Sequence, residues 1–214
     1  MGTGVLAEQL CRPLTRRGLL AAGAGLIAVA ASPAFADPVT PEARKLLDAM
    51  PGKAVLGAEK TRPLITELVD FNAPDWRRSA LDMRELLAGD AKLAYAIVQT
   101  PRVDVGSIEA ARVALAVLAM QPAKFGDFYL ALAATTGDID GVKALNVVRA
   151  EGLDHYKVFR AANQPDITDI LTQGVGVAAA LRVLDTPAYV IGTEVVAGYA
   201  DLARKRALIA AASR

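Results

Sequence analysis

The sequence predicts an α/β domain in which a small apolar sheet is interrupted by a block of helices. Three observations carry this. Residues 64–71, 92–99 and 188–191 are short runs rich in Leu, Ile, Val, Ala and Tyr, the length and composition of buried strands. A helical run over 76–88 separates the first two, and a crossover of that length implies parallel neighbours joined right-handedly. From 107 to 182 the apolar spacing is helical almost throughout, so about five helices fall between the two halves of the sheet.

Residues 1–36 are expected to be a cleaved signal peptide and are set aside from the fold. They hold Arg12, Arg16 and Arg17, an apolar stretch over 19–31, and Ala34-Phe35-Ala36 as a small-x-small cleavage site. The apolar stretch is shorter than the ~20 residues of a membrane span, so no stable span is expected after cleavage. Thr15-Arg16-Arg17-Gly18-Leu19-Leu20 is similar to a twin-arginine signal, which implies export of a folded domain to the periplasm. The rest is short enough for a single core. With 24 Lys and Arg against 23 Asp and Glu, the chain has no electrostatic footprint for nucleic acid or an anionic membrane. Cys11 is the single cysteine and lies in the leader, so the exported chain would have no thiol in a compartment where disulfides persist.

Taken in order, Thr40-Pro41-Glu42 opens a short helix with a capping hydroxyl and Pro in the first turn; Leu46, Leu47 and Met50 form its apolar side, and Pro51-Gly52 stops it. Residues 54–57 read as an edge strand and 59–63 as a polar turn into the central strand. In the helical block the runs are 108–120, 125–134, 139–150, 155–162 and 167–182, with caps expected at Ser107, Asp138, Asp154 and Asp166. Gly192-Thr193 is a hairpin turn between strands 188–191 and 194–197, and a helix over 201–212 closes the chain.

The run Asp70-Phe71-Asn72-Ala73-Pro74-Asp75-Trp76-Arg77 resembles the turn between first core strand and helix in the DsbA branch of the thioredoxin superfamily. There the run reads Asp-aromatic-Asn-Cys-Pro-x-Cys-Arg; here Ala73 and Trp76 stand where the family has its two cysteines. A second match, residues 184–192, resembles the family's Thr-cisPro loop, with Thr186 and Pro187 in those places. The resemblance spans residue 54 to the C-terminus. It implies a thioredoxin fold over 54–106 and 183–214 with an all-helical insertion at 107–182, preceded by a helical segment over 37–53 that in such proteins also serves dimer contacts, so a homodimer is one expectation. It further implies that Ala73, Pro74, Asp75, Trp76, Thr186 and Pro187 line a peptide-binding groove, and that Glu67 is the acid kept beneath the active-site cysteine.

Read as residues, several of these positions stay open. A helix N-terminus stabilises a thiolate, but Ala73 has no ionisable group, and Asp75 reads as a helix cap. Trp76, the single Trp, either enters the core or folds over the site as one wall of a groove. Without a thiol to serve, Glu67 reads as a satisfied structural acid, provided that it is paired. His155, the one histidine, reads as a helix-terminal residue, so a metal site would have to be built from carboxylates alone. Arg77 and Arg78 read as a solvated face, and Gly174-Val-Gly176 does not have the strand-to-helix setting of a phosphate loop. No cofactor and no catalytic residue is expected. The expected function is binding of a peptide or partner protein in the periplasm, without thiol-disulfide activity. Alternatives are a non-thiol enzyme similar to glutathione transferases or isomerases of the superfamily, and a structural subunit of a partner complex.

Overall fold

The computed structural model describes residues 37–58 and 64–214; the expected signal peptide and the turn over 59–63 lie outside the described residues. Six strands, β1 (Asp37–Pro38), β2 (Ala54–Gly57), β3 (Ile65–Val69), β4 (Ala94–Gln99), β5 (Ala188–Ile191) and β6 (Glu194–Val196), form one sheet in the order β1-β6-β5-β3-β4-β2. β3 and β4 run parallel, and the other neighbours are antiparallel. Among the described residues eight α-helices accompany the sheet: α1 (Pro41–Ala49), α2 (Trp76–Gly89), α3 (Val105–Met120), α4 (Phe125–Ala133), α5 (Gly141–Ala150), α6 (His155–Ala162), α7 (Pro165–Ala180) and α8 (Leu202–Ala212).

β3 is buried along its whole length, as a strand covered by helices on both faces must be. Its pleat sorts the core into two layers. Ile65, Val69, Tyr95, Ile97, Tyr189 and Ile191 face α2 and the aromatic residues of α4, whereas Leu68, Val98, Ala188 and Val190 face α1 and α7. Helix α7, expected within the helical insertion, therefore covers one face of the sheet as well as packing on α3. The approach is close: a Cβ on Gly174 would sit 2.4 Å from the carbonyl oxygen of Gln99, so only glycine fits there.

Several boundaries differ from expectation. On α1 the buried stripe is Ala43, Leu47 and Met50, while Leu46 is 52% exposed. Helix α3 is capped by Asp104, which accepts from the Ser107 amide at 2.7 Å; Ser107 lies inside the first turn, and its hydroxyl is drawn to Asp70. Asp140 rather than Asp138 caps α5, because the Ile139 amide is held by Asn72 and keeps the chain out of the helix until Gly141. Asp166 lies in the first turn of α7, which Pro165 opens without a side-chain cap bond. Asp154 caps α6 and Asp201 caps α8. Strand β1 is a two-residue addition with no strand signal of its own, an Asp-Pro pair matched to Val195 and Glu194.

Candidate functional site

Where β3 ends, the Asp70 carboxylate is buried and fully used. It accepts from the amides of Asn72 (2.8 Å), Arg102 (2.6 Å) and Val103 (2.8 Å), and from the Ser107 hydroxyl (2.6 Å). Asn72 extends the clamp: its amide nitrogen donates to both Asp104 oxygens and to the Ile139 carbonyl, and its oxygen accepts from the Ile139 amide at 2.7 Å. These bonds fix the β3–α2 turn against the β4–α3 loop and the start of α5. Asp104 is held ionised below the usual carboxylate range by the Ser107 amide, and next by Asn72.

Ala73 is 2% exposed, and its amide donates to the Asp70 carbonyl at 3.1 Å. Asp75 occupies the cap position of α2, but its carboxylate makes no cap bond and pairs instead with Arg78 at 3.1 Å, a correction to the capping role read from sequence. Trp76 is fully buried, edge-on to Phe71 (5.0 Å between centroids) and to Tyr129 (5.7 Å). Of the two places the sequence allows it, Trp76 takes the core: it fills the interior beneath the turn and forms no groove wall. Arg77 ties α2 to the α4–α5 loop through the carbonyls of Thr135 and Gly137, and Arg78 lies over the Tyr199 ring at 4.5 Å, so both guanidinium groups are engaged rather than simply solvated.

The Thr186–Pro187 peptide is cis. The β3–β5 register, Leu68 opposite Ala188, carried two residues further brings Thr186 level with Asp70. Of the six expected site residues, Ala73, Trp76 and Pro187 are buried, Asp75 and Thr186 are half-buried, and Pro74 is exposed. The accessible apolar surface comes from neighbours the sequence reading missed: Val103 (55% exposed), Val105 (70%) and Leu184 (75%). The first two flank Asp104, and Arg102 reaches across to the Val183 carbonyl beside Leu184 at 3.4 Å. Nothing in a strand-and-helix pattern marks Val103, on the loop, or Val105, at the start of α3, as exposed, and the hydrogen bonds of Asp70 and Asn72 reveal where they sit.

Beneath the turn, Glu67 is completely buried. Tyr95 donates to its Oε2 at 3.0 Å, while Oε1 and the Tyr129 hydroxyl have no hydrogen-bond partner among the described residues. Burial raises its pKa; the charge of Lys205 and the hydroxyls of Ser79, Tyr95 and Tyr129 oppose that rise. Lys205, which sequence reading did not single out, is also fully buried, bonded to Ser79 Oγ (3.0 Å) and Asp82 Oδ2 (2.9 Å) and set over the Tyr189 ring at 4.6 Å. Glu67 is thus paired only in part. His155 lies tilted against the Tyr156 ring, 4.2 Å between centroids, and among the described residues no group of three or more His, Cys, Asp or Glu gathers to hold a metal. Among those residues, too, no helix is long and apolar enough to cross a membrane.

Chemically, the turn offers a helix start without a thiol and a clamped apolar surface, with the charged groups below it sealed from solvent. Solved structures of similar fold include a thioredoxin-like oxidoreductase from Silicibacter pomeroyi DSS-3, 27% identical over 79% of this chain and 97% of that one, with a TM-score of 0.73. The thiol-disulfide exchange protein alpha-DsbA2 of Wolbachia pipientis is 21% identical over 79% and 91% of the two chains, TM-score 0.73. The catalytic domain of Proteus mirabilis ScsC is 17% identical over 80% and 94%, TM-score 0.72. No family model and no curated protein sequence matches the chain.

Proposed function

We propose that this chain, a thioredoxin-fold protein of the DsbA-like kind with alanine and tryptophan in the two cysteine positions, is an exported binding protein that takes an extended apolar peptide segment. One observation carries the reading: Val103 and Leu184, on loops, and Val105, at the start of α3, stand exposed on segments that Asp70, Asn72 and Arg102 hold against the turn. Side chains so exposed, on a framework so rigidly bonded, suit contact with a partner better than a role in folding. The Thr186 backbone, level with Asp70, offers main-chain groups to an extended strand beside that surface. Thiol-disulfide exchange has no nucleophile, since residues 37–214 contain no cysteine. The leader's arginine pair and apolar run support export to the periplasm, and one similar structure is itself described as a periplasmic thioredoxin-like protein. An enzyme of the glutathione-transferase type is disfavoured by Ala73, which places no hydroxyl at the helix start.

The test is calorimetric titration with extended apolar peptides, alongside amide-shift mapping. Saturable binding should perturb the amides of residues 103–105 and 184–186, and Val105→Asp and Leu184→Asp should each weaken it at least tenfold with Tm unchanged. Binding indifferent to both substitutions, or disulfide exchange by the leader-free protein, would overturn the proposal.

A further inference from the structure

Helix α8 is attached in an unusual way. Its one fully buried side chain is a lysine, Lys205; Leu202, Leu208 and Ile209, at helical spacing on the same face, are only partly covered. Lys205 projects between α2 and the sheet into a cage drawn from several elements. From α2 come Ser79 Oγ at 3.0 Å and Asp82 Oδ2 at 2.9 Å; from β5 comes the Tyr189 ring at 4.6 Å, whose hydroxyl bonds Ser79 at 2.8 Å; from the loop after β6 comes the Tyr199 ring at 5.1 Å, whose hydroxyl donates to the same Asp82 oxygen at 2.8 Å. Glu67 of β3, bonded to Tyr95 of β4 and faced by Tyr129 of α4, is the second carboxyl whose charge Lys205 feels. Arg78 lies over the outer side of Tyr199, Asp201 caps α8, and Arg206 pairs with Glu85 in solvent at 2.8 Å.

We propose that Lys205 and Asp82 form an acid-sensitive latch, so that α8 leaves the sheet at low pH while the rest of the domain stays folded. The physical argument concerns where charge ends up. A buried cation is tolerated while carboxylates beside it compensate its lost hydration, and becomes costly once they are neutral. Burial raises the pKa of Glu67, which weakens it as a countercharge for the lysine. Asp82, whose side chain is 15% exposed, is the carboxylate in direct contact with Lys205, at 2.9 Å. Without that charge, Lys205 is left inside among hydroxyls and rings, and hydration is regained by moving α8 outward. Helix α8 can move alone because its few partly buried apolar residues hold it weakly.

The experiment is hydrogen exchange read by mass spectrometry across a downward pH series, corrected for intrinsic exchange, on the wild-type protein, Asp82→Asn and Lys205→Met. In the wild type, amides over 202–212 should lose at least tenfold in protection at a pH where those of β3 and β4 remain protected. Asp82→Asn should show that loss already at neutral pH. Lys205→Met removes the cation while keeping an unbranched chain of similar length, and should keep α8 protected through the acid range. Loss of protection in α8 and β3 together, or an unchanged α8 profile in Lys205→Met, would overturn the latch. Because the methionine variant is expected to be better held in acid than the wild type, a merely destabilised protein cannot imitate the result.

Discussion

The two ends of the first turns of α2 solve opposite problems. Around Ala73 and Trp76, where the DsbA pattern places ionisable thiols, the interior is closed by apolar contact among Phe71, Trp76 and Tyr129. One turn further on, Ser79 and Asp82 help to keep a lysine inside the protein, with a carboxylic acid nearby. The difference teaches where buried charge persists. Lys205 is met by side chains from α2, β5 and the β6–α8 loop at once, whereas the α2 N-terminus is a local feature that packing alone can seal.

The comparison is broken most severely at Trp76. Trp76→Ala would empty the space among Phe71, Tyr129 and the sheet, and deleting a fully buried aromatic costs about 3–5 kcal/mol. Urea denaturation should show a loss of that size; a cost below about 1 kcal/mol would mean that the ring does not support the interior. Asp70→Ala comes next. It strands the amides of Asn72, Arg102 and Val103 and the Ser107 hydroxyl, and unsatisfied buried groups of this kind cost about 1–3 kcal/mol each before relaxation and hydration recover part. A net loss of about 3 kcal/mol is expected, together with faster amide exchange in residues 102–107.

Glu67 sharpens the contrast through pH. Its folded pKa lies above the ordinary value of 4.5, chiefly because it is buried, so between that value and its folded pKa the folded state holds more protons than the unfolded state. Its contribution to stability therefore falls as pH rises through that window. Glu67→Gln keeps an acceptor for Tyr95 but cannot ionise, and should be more stable than wild type above the window, by less than Asp70→Ala loses. Urea midpoints measured from acid to neutral pH should show a shallower decline in the variant; parallel curves would mean that Glu67 does not titrate anomalously. Tyr199, raised to about 12 by burial and then by its bond to Asp82, should remain a neutral donor over the same range.

What the sequence disclosed was set by how local each signal is. Apolar runs marked β3, β4 and β5, and Thr40 and Asp154 marked helix starts, because strand and cap signals lie within a few residues of each other. Ser107, Asp138 and Asp166 failed as caps since tertiary bonds from Asp70 and Asn72, or the proline opening α7, moved the boundary. Trp76 could not be assigned to core or surface without knowing that Phe71 and Tyr129 would meet it. Lys205 looked like one of several charges in the run Arg204-Lys205-Arg206, and its burial depends on Ser79 and Asp82, more than a hundred positions away in the chain.

The smallest effect concerns Asp75, the acid at the turn that sequence reading took for a cap. Among the described residues its carboxylate pairs with Arg78 alone, with both side chains well exposed, and such pairs contribute about 0.2–1 kcal/mol at most. Asp104 is the working counterpart: it accepts from the Ser107 amide and from Asn72, and removing a helix cap costs about 1 kcal/mol. Asp75→Ala should therefore change stability by about 0.3 kcal/mol or less, and Asp104→Ala by about three times as much. Because Asp104 is held ionised below the usual range, its contribution is present at neutral pH and is lost as pH falls through its folded pKa. If Asp75→Ala proved the costlier substitution at neutral pH, the α2 N-terminus would depend on charge after all, and its contrast with the lysine cage would fail.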